Sequence, residues 1–349
     1  MLGWRKILPN GKNDNAVEIV CTGGLVSEKC TRRVEVQLSE TSNVINLIEN
    51  IWADEPSKPI LLVVTAFSGF GKLIKEISES GSNPFLIEAT GIPETMLSGL
   101  PLDTVIEYWA GMLTATLTER KGAKRRSPRV SRREVLRRLF LIPPKYVMLP
   151  RLRSVAVNCR RDDVCPFSAL EAGRFDEDKC QGCMLCAWTC PEAVEAPLWT
   201  GPLGLLYAYR FIDKYGLDGI LFICHHKLEQ LDKSAVEASP ARLLAFHVPC
   251  VSWLSPRLLE SLVSLGIYVQ VYADKNVCEE CGLKPAGFKA IDMLRVNGVH
   301  VSENLAEAGA AALTGYIRPK KSLEEVIELM TKSLYSATSS ESATNRISS

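Results

Sequence analysis

The sequence has little excess charge, few histidines and no long hydrophobic run. It contains 41 Lys and Arg against 40 Asp and Glu, a formal net charge of +1, so overall charge gives no attraction to nucleic acid or anionic membranes. No apolar stretch reaches the roughly 18 residues of a spanning helix. No apolar secretory core follows Met1. Twelve cysteines in 349 residues are about 3%, below the density of a disulfide scaffold. We therefore expect a cytoplasmic protein without a membrane span.

Length and periodicity predict an α/β fold. With 349 residues and 46% hydrophobic content, the chain can form two or three domains. Continuous apolar runs at 58–65 and 219–224, each next to a helical pattern, are typical of strands buried in parallel sheets. We predict two Rossmann-like, mainly parallel α/β regions flanking a small α+β domain. The predicted boundaries are 1–118 and 201–335 for the α/β regions, 119–150 for a basic linker with a short helix, 151–200 for the small domain, and 336–349 for a disordered tail.

Four cysteines in the middle of the chain have the spacing of an iron–sulfur site. Cys180, Cys183, Cys186 and Cys190, followed by Pro191, form the run C-x2-C-x2-C-x3-C-P, which holds a [4Fe–4S] cluster. A zinc knot usually pairs two hooks separated by a dozen or more residues, so zinc fits this spacing poorly. In two-cluster domains the fourth cysteine of the run ligates the other cluster.

A second Cys-Pro pair precedes this run. Cys165 and Pro166 mirror Cys190 and Pro191, so we expect Cys165 to join Cys180, Cys183 and Cys186 as the fourth ligand. Cys190 would then be an orphan, or would share a remodelled site with Cys159, which is one residue off register. The alternative places Cys190 on the main cluster and leaves Cys165 spare.

With these motifs, residues 155–198 resemble a bacterial-type 4Fe–4S ferredoxin domain. The resemblance implies a small α+β ferredoxin-like fold and one-electron redox chemistry at the cluster. The positions that would complete the first half of such a domain hold Val155, Asn158 and Arg161, so the resemblance implies one intact cluster and one damaged site.

The C-terminal α/β region contains a second group of cysteines. Cys224 ends a predicted strand, Cys250 follows the next, and Cys278 and Cys281 form a C-x2-C hook after the third. The carboxyl ends of parallel strands line one crevice, so these thiols could converge on a second Fe–S cluster or a zinc ion. The alternative is that Cys224 and Cys250 are buried apolar cysteines.

Three of the four histidines lie next to these cysteines. His225 and His226 follow Cys224, and His247 precedes Cys250 by three residues. Each could ligate metal, donate a hydrogen bond to a cluster sulfur or carry a proton, and each could equally be structural.

The segment 211–225 is similar to a segment of the delta subunit of methyl-viologen-reducing hydrogenases, an iron–sulfur protein that links hydrogenase to heterodisulfide reductase. The similarity covers about 205–260. It implies ligation only by Cys224, because this chain lacks the family's second Cys-His and its Cys-Cys-x2-Cys opening.

A basic segment at 120–138 holds ten Lys or Arg residues. A solvated linker and a docking surface for an acidic redox partner both fit it. Nucleic acid is less favoured, because no aromatic residue is interleaved with the basic ones.

These features predict an iron–sulfur electron-transport subunit of a cytoplasmic oxidoreductase complex, with redox partner proteins and no acid–base pair of its own. Electrons would pass between the [4Fe–4S] cluster and the second metal site. Two other hypotheses are a catalytic disulfide or sulfur-compound reductase at the C-terminal Cys/His site, and a metal-stabilised binding or sensory protein.

Overall fold

The fold is taken from a computed structural model, which describes sixteen stretches of the chain. They are residues 17–22, 27–34, 41–55, 58–65, 70–79, 87–122, 151–152, 164–171, 174–176, 179–189, 194–195, 202–279, 281–296, 299–305, 325–326 and 328–329. The chain forms two compact units. Unit 1 comprises Met1–Ile92 and Pro101–Met148, and unit 2 comprises Pro93–Leu100 and Leu149–Ser349.

Unit 1 contains a parallel four-stranded sheet of order β2-β1-β3-β4. Its strands are β1 (Glu18–Thr22), β2 (Arg32–Val34), β3 (Ile60–Val64) and β4 (Ile87–Gly91). Its helices are α1 (Thr41–Asp54), α2 (Phe70–Glu79) and α4 (Leu102–Gly122), while α3 (Ile92–Ser98) begins in unit 1 and continues into unit 2. Every residue of β3 is buried, as expected of a central strand in a parallel sheet.

Two features fix the first strand of unit 1. Cys21 of β1 forms a disulfide with Cys30, nine residues further on. The buried Glu18 carboxylate accepts hydrogen bonds from Arg32 and Lys58, each at 2.8 Å. Both features join β1 to neighbouring segments of the same sheet.

Unit 2 contains a second parallel sheet of order β10-β9-β11-β12. Its strands are β9 (Gly219–Cys224), β10 (Leu243–Val248), β11 (Tyr268–Tyr272) and β12 (His300–Ser302). Its helices are α6 (Pro202–Tyr215), α7 (His225–Glu229), α8 (Lys233–Glu237), α9 (Pro256–Ser264), α10 (Lys275–Cys278) and α11 (Lys284–Val296). This order matches the doubly wound arrangement that binds ligands at the carboxyl ends of the first and third strands. Here those strands are the adjacent β9 and β11.

A glycine opens β9 because its neighbour leaves no space for a side chain. A Cβ on Gly219 would lie 2.2 Å from the Tyr268 carbonyl oxygen, well inside contact distance. Gly219 pairs with Tyr268 in the β9–β11 ladder. Glycine at this position therefore lets the two central strands approach each other.

Unit 2 also holds the small domain, built from two short antiparallel pairs. Strand β5 (Arg151–Leu152) pairs with β8 (Val194–Glu195), and β6 (Leu170–Glu171) pairs with β7 (Arg174–Phe175). Helix α5 (Leu185–Thr189) lies between β7 and β8. The outer pair joins the two ends of the segment, so the segment closes on itself.

The short piece of chain at 93–100 belongs to unit 2 through its side chains and carbonyls. The buried Glu94 carboxylate lies 2.8 Å from the His247 Nε2 atom, and the His247 side chain is also buried. Arg242 donates a hydrogen bond to the Ser98 carbonyl at 3.0 Å. Both partners flank or belong to β10, so this piece is attached to one edge of the second sheet.

The α/β fold and the two parallel sheets confirm the predicted fold class. The alternation of Val34, Val36 and Leu38 predicts a strand at 33–38, and its described part, Arg32–Val34, begins one residue earlier. The sequence also predicts a strand at 84–88, which lies at Ile87–Gly91. Capping boxes that begin at Ser131 and Ser322 predict helices at 131–140 and 322–334. Both helices, like the basic linker and the tail, fall wholly or mostly outside the described residues. Within the described part of the chain, no helix is long and apolar enough to cross a membrane.

Candidate metal centre

The loop before α5 directs backbone amides at two cysteine sulfurs. Gly182 has φ +66° and Met184 has φ +62°, the left-handed region that a non-glycine residue rarely adopts. This backbone turns amides toward the thiols. The Gly182 amide donates to the Cys180 Sγ at 3.4 Å, and the Leu185 amide donates to the Cys183 thiol. Such N–H donors stabilise charge on sulfur.

Cys165 lies beside this loop. Its Sγ accepts a hydrogen bond from the Ala169 amide at 3.3 Å, within a turn that places Ser168 at φ +52°. Cys165 is close enough to Cys183 and Cys186 for a charge on its sulfur to raise the pKa of both thiols. The structure thus groups Cys165 with Cys180, Cys183 and Cys186. Cys159 and Cys190 lie outside the described residues, so the choice of fourth ligand stays a prediction.

The first cysteine group consists of Cys165, Cys180, Cys183 and Cys186. The surroundings of its thiols favour metal binding. Burial raises the pKa of Cys183 to about 12, and the charges of Cys165, Cys250 and Cys180 add to the rise. Burial, followed by charge on Cys183, Cys180 and Cys165, also raises the pKa of Cys186. Thiols of this kind become thiolates only when a cation compensates their charge. A [4Fe–4S] cluster fits four soft sulfur donors with amides directed at them, and when bound it supplies one-electron redox chemistry.

A second cysteine group forms at the carboxyl edge of the unit 2 sheet. Its members are Cys224 at the end of β9, Cys250 after β10, Cys278 at the end of α10, and Cys281. Burial raises the pKa of Cys224 to about 12, and charges on Cys250, Cys278 and Cys281 add to it. Cys224, Cys250 and Cys278 are buried, whereas Cys281 is partly exposed. The strand order brings together thiols that are up to 57 positions apart in the sequence.

The geometry around Gly287 shows how close two of these sulfurs are. A Cβ built on Gly287, in α11, would lie 3.0 Å from the Cys278 Sγ and 3.9 Å from the Cys250 Sγ. Both sulfurs therefore lie against α11 at the Gly287 position. Glycine leaves the room that these sulfurs occupy.

Amides surround the second group as they do the first. The Lys227 amide donates to Cys224, the Leu283 amide donates to the Cys281 Sγ at 3.4 Å, and the Ser252 and Val251 amides donate to Cys250. Burial raises the pKa of Cys250 to about 11 and that of Cys278 to about 12. The donor set again suits a site that binds soft metal.

Among the described residues, no three Cys, His, Asp or Glu side chains stand close enough together to hold one metal ion. An iron–sulfur cluster sets a different spacing, because each thiolate binds an iron of its own. The nature of the second site, cluster or zinc, therefore stays a prediction.

The three histidines have different surroundings. The rings of His225 and His226 in α7 are in contact, with centroids 4.1 Å apart and planes tilted by 40°. The His226 Nδ1 lies 3.9 Å from Glu229. The His247 Nε2 lies 2.8 Å from Glu94. This contact gives His247 a carboxylate partner of its own, so a role in orienting β10 fits it better than a place among the ligands.

Sequence reasoning missed two tryptophans that connect the cysteine groups. Trp188 of α5 donates to the Ser252 carbonyl at 3.1 Å, and Trp253 donates to the Gly182 carbonyl at 3.1 Å. Both indoles are buried. The available signal was their position, since Trp188 follows Cys186 by two residues and Trp253 follows Cys250 by three.

Comparison with family models identifies residues 174–195 as a 4Fe-4S binding domain. The matched stretch contains Cys180, Cys183, Cys186 and Cys190. Neither a search of curated proteins nor one of solved structures finds a significant match to this chain, and the resemblance to the hydrogenase delta subunit gains no support. The match covers a small part of the chain and establishes the local site, a 4Fe–4S ferredoxin-type domain in an iron–sulfur protein.

Proposed function

We propose that this protein is an electron-transfer subunit of a cytoplasmic oxidoreductase complex, in which electrons pass between the [4Fe–4S] cluster of the first cysteine group and a second cluster at the second group. The observation that carries the proposal is that two sets of four thiols, each with amide donors on sulfur, lie within one compact unit. Proteins tune such centres through burial and hydrogen bonds to sulfur, and both are present at each group. Redox partner proteins supply and remove the electrons, and the basic segment at 120–138 is a candidate docking surface for an acidic one.

Metal and sulfide analysis of anaerobically purified protein tests this proposal. One [4Fe–4S] cluster gives about four irons per chain, and a second cluster raises the count to about six or eight. We expect the higher count and two EPR signals after reduction with dithionite. About four irons with one zinc would contradict the proposal, because zinc carries no electron.

Three variants assign the metal to its groups. Cys180→Ser should remove iron from the first group and Cys224→Ser from the second, leaving the other EPR signal in each case. Cys30→Ser is the matched control, since Cys30 belongs to neither group and its loss should leave the iron count unchanged. Loss of both EPR signals in both site variants would indicate that unit 2 has unfolded. Hydrogen exchange of the oxidised variants would identify that unfolding.

A second candidate function is reduction of a disulfide or small sulfur compound at the second group. Cys281 favours it, because Cys281 is the only member of that group with partial exposure. The dithionite-reduced protein would then be reoxidised on addition of a disulfide, with saturation by substrate. Reoxidation rates that stay at the buffer background for every disulfide and sulfur donor tried would count against it.

A further inference from the structure

The two indoles form a reciprocal pair between the cysteine groups. Trp188 belongs to the first group's helix and bonds the loop of Cys250, while Trp253 belongs to that loop and bonds the loop of Cys183. A buried indole N–H requires an acceptor, and each takes a backbone carbonyl of the opposite loop. We call Trp188 and Trp253 the tryptophan pair.

The acceptors of the tryptophan pair lie directly beside cysteine ligands. The Gly182 carbonyl precedes Cys183 in the chain, and the Ser252 carbonyl lies two residues after Cys250. The Ser252 amide in turn donates to the Cys250 sulfur. Each hydrogen bond therefore fixes a segment that itself holds a sulfur in place.

Cys183 and Cys250 lie on the two segments that the tryptophan pair joins. Trp253, three residues after Cys250, donates to the carbonyl of Gly182, which precedes Cys183. Trp188 donates to the carbonyl of Ser252, two residues after Cys250. Both cysteines are also buried. Water is therefore largely excluded from the sulfurs at this junction.

We infer that Cys183 and Cys250 form the edge across which one electron passes between the two clusters, and that the tryptophan pair sets the spacing of this edge. The inference rests on the proposed function and names its route. One electron leaves the cluster of one group and enters that of the other; no bond forms or breaks. Trp188 and Trp253 are positioning residues, because the hydrogen bonds of their indoles go to backbone carbonyls of the two loops.

Magnetic coupling between the reduced clusters tests the route. In protein reduced with dithionite at both groups, we expect each EPR signal to show splitting from the other cluster. That splitting should vanish in Cys250→Ser protein, which keeps only the first cluster. Two intact clusters with unsplit, independent signals would overturn the inference while leaving the proposed function in place. An iron count of about four would instead overturn the proposed function.

Substitution of the tryptophan pair tests its role in spacing. Trp188→Phe with Trp253→Phe removes both N–H donors and keeps the aromatic bulk, and we expect loss of the splitting with the iron count unchanged. Trp52→Phe is the matched control, because Trp52 also donates to a backbone carbonyl, that of Lys58 at 2.8 Å, within unit 1. Splitting equal to that of the natural protein in the double variant would overturn the role of the pair. If the double variant loses iron, the Trp188→Phe and Trp253→Phe single variants are measured, each expected to weaken the splitting.

Discussion

Each buried thiol of the two cysteine groups would have to lose a proton before it could bind a metal. Burial and neighbouring charge hold the pKa of Cys183, Cys224 and Cys278 at about 12 and that of Cys250 at about 11, so at neutral pH the metal-free protein keeps these thiols protonated. Cluster assembly therefore releases protons, and acid competes with it. The amides directed at sulfur stabilise the thiolate form, and they therefore partly offset the effect of acid.

Cys165→Ser and Cys190→Ser form a matched pair that identifies the fourth ligand of the first cluster. We expect Cys165→Ser to lose the first cluster or one of its irons, because the Cys165 thiol is grouped with Cys183 and Cys186. Cys190→Ser should keep about four irons at this group. Iron analysis and EPR measure both. The reverse pattern would assign Cys190 instead.

The Glu18 carboxylate makes the stability of unit 1 dependent on pH. Burial raises its pKa, but hydrogen bonds and charge from Lys58 and Arg32 outweigh burial and hold the pKa below its ordinary 4.5. Because the folded pKa is lower than the unfolded one, the carboxylate contributes stability above pH 4.5 that is lost as pH falls through the folded value.

Glu18→Gln should therefore lower the free energy of unfolding of unit 1 by about 1–3 kcal/mol at neutral pH. Near pH 3 the difference should shrink, because natural protein has lost part of the same stabilisation there. Urea unfolding of both proteins at the two pH values measures it. An equal difference at both would show that the charge of Glu18 is not the cause.

At the scale of elements, the second cysteine group depends on where three strands end. Strand β9 lies between β10 and β11, so the segments that follow these strands meet at one edge of the sheet. Helix α11 closes this edge with Gly287. The topology of the sheet thus brings these cysteines together, and they need no common sequence motif.

Gly287→Ala should disturb the second group and spare the first. Its methyl group would lie 3.0 Å from the Cys278 Sγ, tighter than a usual contact, so the sulfurs must shift. We expect a lower iron count and an altered EPR signal at the second group only. Gly282→Ala is the matched control, because its Cβ would meet nothing within 4 Å. Equal effects of the two variants would count against this packing argument.

The elements also show what sequence can and cannot predict. The apolar runs at 219–224 and 242–248 predict β9 and β10 to within a residue, because strands buried on both faces are continuous apolar runs. Strand β4 lies at Ile87–Gly91 instead of the predicted 84–88, because the polar residues Glu88 and Thr90 interrupt the apolar run that would mark it. The tryptophan pair was not predicted, because its bonds join residues 64 and 71 positions apart and no local pattern records such a partner. The Cys21–Cys30 disulfide was also missed, since a prediction of cytoplasmic location favours free thiols.

At the scale of the whole molecule, the two units have different sources of stability. Unit 1 has the Cys21–Cys30 disulfide, whereas both cysteine groups lie in unit 2. Removal of iron should therefore lower the stability of unit 2 alone. Reduction of the disulfide should lower that of unit 1 by about 2–3 kcal/mol.

Hydrogen exchange with mass spectrometry separates these two effects by peptide. Iron removal should raise exchange in peptides of 202–279, with those of 41–65 unchanged, and a dithiol reductant should do the opposite in iron-free protein. Uniform changes across both sets of peptides would indicate that the units unfold as one.

The piece of chain at 93–100 also affects how the protein is made. It leaves the ribosome before about 50 further residues of unit 1, yet its partners Arg242 and His247 are synthesised more than 140 residues later. The Glu94 carboxylate can therefore contact His247 only after most of the chain has been synthesised. Domain-by-domain folding during synthesis cannot complete unit 2 from residues 149–349 alone, and a protein begun at residue 149 would bury His247 without its carboxylate. To obtain unit 2 by itself, residues 93–100 must therefore be included with residues 149–349.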